Sequence, residues 1–193
     1  MERLLLSISK QDPRKLIKSL GWVLLGSLVL SLFSQIAIPV PFSSVPFTMQ
    51  TIAVFLLGSL MGKKYGTWSV IAFLFQAAAG LPVFGGASCL SNWYVTETAG
   101  YLFGFVAAAW LVGALCEKWA GTSLKRLIFA NSCGALLILF CGWAWLCAFI
   151  SAKDAFYAGV LPFFFADIVK AVSAALITQG FTDYKKHKVG KQS

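Results

Sequence analysis

Charge is what this chain of 193 residues has least of. Asp, Glu, Lys and Arg make up 12% of it, against about 25% in soluble domains. With 59% of the residues hydrophobic and a mean hydropathy of +0.79, too little polar side chain remains to cover a water-facing surface. A soluble globular fold is excluded, and an integral membrane protein is implied. Acidic residues are scarcest, seven in all, too few for a carboxylate-based active site. The single histidine, His187, lies in a basic tail. HExxH, GxSxG and Walker patterns are absent, so no enzyme signature is present. The five cysteines (Cys89, Cys116, Cys133, Cys141, Cys147) lack metal-ligand spacing, and four lie in or beside apolar stretches, where cysteine acts as a small hydrophobe.

The charge that is present is mostly positive, a net +9, and it is ordered along the chain. Basic clusters fall at Arg3 to Lys18, at Lys63–Lys64, at Lys118 to Arg126, and at Lys185 to Lys191. Between them, residues 39–48 and 80–98 contain no Lys or Arg, and 151–157 contains only Lys153. This alternation follows the positive-inside pattern, which puts both termini in the cytoplasm and requires an even number of spans. The basic residues do not form one patch, so nucleic acid is not an expected partner; the lipid bilayer is.

Six spans fit, at about 19–38, 48–62, 65–81, 99–117, 126–150 and 158–181. The predicted fold is an all-α six-helix bundle in one membrane domain covering 1–193. A basic cytoplasmic segment, 1–18, precedes the bundle at about 19–181, and a basic cytoplasmic tail, 182–193, follows it. The first apolar run is longer than a signal h-region and has no small-residue cleavage site, so it reads as a retained span. The second span is short: its roughly 15 residues reach only about 22 Å. The loop before it, with Pro39, Pro41 and Pro46, is expected to fill the outer part of that column. Irregular backbone at membrane depth is tolerated where it is buried or lines a cavity. Gly80, Pro82, Gly85 and Gly86 punctuate the second outer loop. Small residues four apart (Ser27 and Ser31, Gly58 and Gly62, Gly100 and Gly104, Ala109 and Gly113) suit close helix packing.

Against this background Asp167 and Lys170 stand out. They fall inside the last span, and their i, i+3 spacing puts them on one helix face. A charge at the bilayer centre costs about 2.5–3.5 kcal/mol on insertion scales. Opposite charges on one face therefore predict a polar pocket, with a purely structural ion pair as the alternative. Gln50, early in the second span, offers both a donor and an acceptor. Asn131, in the fifth span, is expected to make an interhelical hydrogen bond. The outer loops carry Phe42, Phe47, Phe84, Trp93, Tyr94 and Tyr101. Trp93 and Tyr94 read as interfacial anchors, and Phe47 and Phe84 as walls of a ligand pocket that is mostly apolar with a few converging polar groups.

These segments resemble the BioY family, the biotin-specific substrate-binding (S) components of energy-coupling-factor (ECF) vitamin transporters. The resemblance rests on IPVPFSSVPFTMQ at the start of 38–62, AAAGLPVFGG at 77–86, AGYLFGF at 99–105 and the D-x-x-K of FADIVKA at 165–171. Where the family commonly reads GPTGGYL this chain has TETAGYL, with Glu97 for proline and Ala99 for glycine. The resemblance implies a ligand cavity near the extracytoplasmic side, biotin as the transported ligand, and no other cofactor. It also implies a transmembrane coupling protein and two cytoplasmic ATPases as partners in a bacterial cytoplasmic membrane. Phe47, Gln50, Thr98, Tyr101, Asp167 and Lys170 match family pocket positions, and Phe84 joins them as a wall. Biotin suits such a set: Asp167 can accept from ureido N–H groups, and Lys170 can meet a carbonyl or the carboxylate. Two other readings are an S component for another water-soluble vitamin and a small intramembrane enzyme using Asp167 as acid or base. The latter needs a second catalytic group, and Lys170 is the sole charged candidate at that depth.

Overall fold

The computed structural model describes residues 13–40, 45–85, 92–119 and 123–190. Among these, helix α1 (Pro13–Ser34) leads into a minimal antiparallel ribbon of β1 (Ala37–Ile38) and β2 (Phe47–Thr48). Then come α2 (Gln50–Ala78), a 3-10 turn at Trp93–Val95, α3 (Ala99–Lys118), α4 (Leu124–Leu146), the short α5 (Ala152–Gly159) and α6 (Leu161–Gly190). Helix α3 packs between α2 and α4, α6 packs on α4 and α2, and α1 packs on α2. Phe55, Phe73, Val70, Val112, Leu127 and Ile138 are buried at the centre.

Helix α1 is apolar nearly all round, as a membrane helix should be. It buries the stripe Gly26, Ser27, Leu30 and Ser34, while Leu20, Leu24, Leu28 and Leu32 face outward. Buried hydroxyls without water must find protein partners. Ser27 Oγ accepts from Gln76 Nε2 at 2.9 Å, and Ser34 Oγ donates to the carbonyls of Val83 and Ser31. At Gly26 a Cβ would overlap the Ser69 side chain, so α1 sits close against the second half of α2.

The expected spans at 48–62 and 65–81 form one element, α2, interrupted at Gly62, whose φ of 76° and ψ of 176° are not helical. The two halves fold back on each other. In a straight helix Leu57 and Gly66 would stand about 13 Å apart along the axis, yet a Cβ at Gly66 would lie 2.7 Å from the Leu57 carbonyl oxygen. The elbow rests on α3: Lys63 N donates to Glu117 Oε1 at 2.9 Å, and Lys63 Nζ stands 3.5 Å from Glu117 Oε2. Gly113 of α3 leaves the room this approach requires.

Four of the described helices are long and apolar enough to cross a membrane: Arg14–Ser34, Ala99–Lys118, Leu124–Leu146 and Leu161–Lys188. One expectation needs correction. Residues 151–157 are not a plain loop, because α5 begins there, with Ser151 Oγ accepting from Asp154 N and donating to Asp154 Oδ2. The tail from residue 182 continues α6 as helix to Gly190. Of the residues singled out above, Arg3, Pro41, Phe42, Gly86, Cys89 and Lys191 lie outside the described ones.

Candidate ligand site

A cavity of about 420 Å³ opens where α2, α3 and α6 begin. Its lining comes from the ribbon and its flanks (Ala37, Pro39, Val45, Pro46, Thr48), from the first turn of α2 (Gln50, Thr51) and from Phe84 and Gly85. Helix α3 adds Thr98, Tyr101, Leu102 and Phe105, α4 adds Ile138 and Leu139, and α6 adds Phe163, Asp167 and Lys170. The volume lies within the range of about 300–1,000 Å³ found for small-molecule sites. The Lys63–Glu117 pair marks the other end of α3, beside Lys118. The cavity and the Lys63 and Lys118 side chains therefore lie toward opposite ends of α3.

Asp167 and Lys170 are the charged groups of the cavity lining, at 4% and 5% exposure. Lys170 Nζ donates to Asp167 Oδ1 at 2.9 Å, and Thr51 Oγ1 reaches the same oxygen at 3.5 Å. Asp167 Oδ2 is left as a free acceptor among the described residues. Lys170 Nζ also sits 3.9 Å from the centroid of the Phe47 ring, within the range of about 6 Å over which an aromatic face attracts a cation. Phe47 thus lies against the ammonium and is not among the cavity-lining residues, whereas Phe84 is, packed edge-on to Phe73 at 5.4 Å.

Gln50 is 5% exposed. Its Oε1 accepts from Thr48 Oγ1 at 3.2 Å, and its Nε2 has no partner among the described residues. A buried donor left unpaired costs about 1–3 kcal/mol, so this amide is poised for an acceptor from outside the protein. Thr98 Oγ1 lies 3.0 Å from Thr96 Oγ1, which donates to the Trp93 carbonyl.

Tyr101 contributes a wall, but its hydroxyl is committed elsewhere. Tyr101 Oη donates to the Gly159 carbonyl at 2.7 Å, and its ring fills the notch left by Gly142 and Gly159. It holds the end of α5 just before α6 begins. Tyr101→Phe leaves that carbonyl unpaired and is expected to cost about 1–3 kcal/mol of stability; an unchanged melting temperature in detergent would contradict this.

Gln50, Phe84, Thr98, Tyr101, Asp167 and Lys170 all line the cavity, whereas Phe47, expected as a wall, does not: its ring is turned against the Lys170 ammonium. Sequence reasoning missed Thr51, whose only signal was its position beside Gln50, and the apolar walls Leu102, Phe105 and Phe163. Trp93 is not an interfacial anchor: it is buried and donates from Nε1 to the Leu74 carbonyl at 3.2 Å. Asn131 makes the expected interhelical bond, from Nδ2 to the Ala171 carbonyl at 3.0 Å.

The BioY family profile matches residues 6–186. The biotin transporter BioY of Thermotoga maritima is 39% identical over 145 residues, covering 72% of this chain and 82% of that protein. The probable biotin transporter BioY of Pyrococcus horikoshii is 33% identical over 162 residues, covering 84% and 94%. A crystal structure of the S-component for biotin from an ECF-type ABC transporter superposes with a TM-score of 0.79 at 25% identity, covering 90% of this chain and 95% of that one. With most of its length matched in both sequence and fold, this chain belongs to the BioY family.

Proposed function

We propose that this protein is a biotin transporter, the S component that captures biotin outside the cell with high affinity for ATP-driven uptake by an ECF module. The observation that carries this reading is the unpartnered Gln50 Nε2 beside the Asp167–Lys170 pair in an apolar cavity. Together they offer a donor, an acceptor and a cation to a ligand whose ureido ring and carboxylate need all three. Phe84, Phe105 and Phe163 supply apolar surface for the bicyclic ring and aliphatic tail.

The whole chain is read as one membrane domain with six crossings: α1, the two arms of α2, α3, α4 and α6. Six crossings put both termini on one side, and the basic clusters make that side cytoplasmic. The cavity then faces outward, and the ribbon at its mouth lengthens the short first arm of α2. The chain has no Walker pattern, so energy comes from partners: a transmembrane coupling protein and two cytoplasmic ATPases. Biotin is cargo, not cofactor, and leaves chemically unchanged. The setting is a bacterial cytoplasmic membrane, and Thr98, Tyr101 and Phe47 support the ligand site alongside the groups above.

Equilibrium binding of labelled biotin to the purified protein tests this reading. Nanomolar binding is expected, undisturbed by excess thiamine or riboflavin. Gln50→Ala should weaken it about tenfold or more, the loss of one buried hydrogen bond. Binding weaker than micromolar, or displacement by another vitamin in place of biotin, overturns the assignment.

A further inference from the structure

We propose that Phe47 is a positioning residue: its ring fixes the ammonium of Lys170 so that the lysine presents a defined N–H to the ligand. This rests on the biotin reading only where ligand affinity is the readout. A lysine carries a compact charge on a flexible stem with three donors, and nothing intrinsic to it aims one donor into a cavity. Here two restraints come from different elements. Asp167, one turn earlier on α6, takes one N–H at 2.9 Å. The Phe47 ring, from β2, covers another side of Nζ at 3.9 Å.

The ring's position argues against direct ligand contact. Its neighbours Pro46 and Thr48 line the cavity, and Phe47 does not. Its register partner Ile38 fixes β2 against β1, and the next residue, Thr48, holds Gln50 Oε1. One short ribbon therefore orients both the ammonium and the amide. The remaining Lys170 N–H, the unpartnered Gln50 Nε2 and Asp167 Oδ2 form the set open to a ligand.

The test replaces Phe47 with phenylalanines carrying one, two and three ring fluorines, which keep the ring's shape while draining the negative face that attracts a cation. Two quantities are read: the melting temperature of the ligand-free protein and the affinity for biotin. Both are expected to fall stepwise, affinity by about tenfold at three fluorines, or about 1.4 kcal/mol. Phe47→Tyr should preserve both, and Phe47→Leu should match the trifluoro variant. A flat or rising melting series makes Phe47 a packing residue and overturns the proposal. A falling melting series with unchanged affinity also overturns it, since the ring would then steady the fold without aiming the lysine. If the unmodified protein binds no biotin, the proposed function fails, while a falling melting series still supports the ring's hold on Lys170.

Discussion

Lys170→Met is expected to abolish detectable biotin binding and to cost the ligand-free protein about 3–5 kcal/mol of stability, the usual effect of removing one partner from a buried ion pair. Among the described residues, the carboxylate of Asp167 would keep only Thr51 Oγ1, at 3.5 Å, in a cavity whose other walls are largely apolar. Asp167→Asn also leaves a buried charge without its counter-charge, the Lys170 ammonium. It should still be milder for stability, because the amide oxygen can accept from Lys170 and the Phe47 ring still faces Nζ at 3.9 Å. It should nevertheless weaken biotin at least tenfold, because the ligand loses a charged acceptor. The informative variant is the double one, Asp167→Leu with Lys170→Met. Replacing a buried pair by apolar residues of similar size is often neutral or stabilising, so the double variant should melt at or above the native temperature and still not bind biotin. Thermal melts with equilibrium binding separate the two outcomes. Biotin binding by the double variant would mean that the pair serves only the fold.

Gly62→Val is expected to remove most folded protein. At φ 76° and ψ 176° the backbone lies in a region that is essentially reserved for glycine, with a cost of about 1–3 kcal/mol for other residues. A Cβ there would also stand 2.5 Å from Glu117 Oε1, the acceptor of the Lys63 N–H bond. Valine adds two methyls to that conflict, so strain and overlap act together. Recovery of monodisperse protein in detergent, with a thermal melt, measures the effect. Gly180→Val is the control: that glycine has open space around it and should be tolerated. Equal yields of the two variants would contradict the elbow's role.

What could be read from the sequence follows physical scale. Long apolar runs and basic clusters outlined the membrane helices, because lipid imposes its demands on twenty residues at once. The D-x-x-K spacing located the buried pair for the same reason: charge in an apolar run has few explanations. Short elements escaped. The ribbon has two residues per strand, too few for alternation to register. Helix α5 has eight residues, and its one signal was Ser151 three before Asp154, a capping pattern with an acidic side chain in the first turn. The span to residue 181 says where apolar sequence stops, and the helix runs on past it, because charge marks the membrane's edge and not the helix's end. Gln179 Nε2 bonding Asp183 shows the turns continuing through it. The roles of Thr51 and Phe47 depend on partners 116 and 123 residues away, which no local pattern encodes.

Helix α6 runs unbroken for 30 residues, about 45 Å, well beyond the hydrocarbon layer. Asp167 and Lys170 sit near one end, and Lys188 lies 21 residues past Asp167, about 31 Å away along the axis. The helix is thus a long rod with the cavity residues close to one end. Each degree of tilt about Asp167 carries Lys188 sideways by about 0.5 Å at that length. A small tilt at the cavity end would thereby be magnified at the basic tip, where Lys185, Lys186 and Lys188 lie.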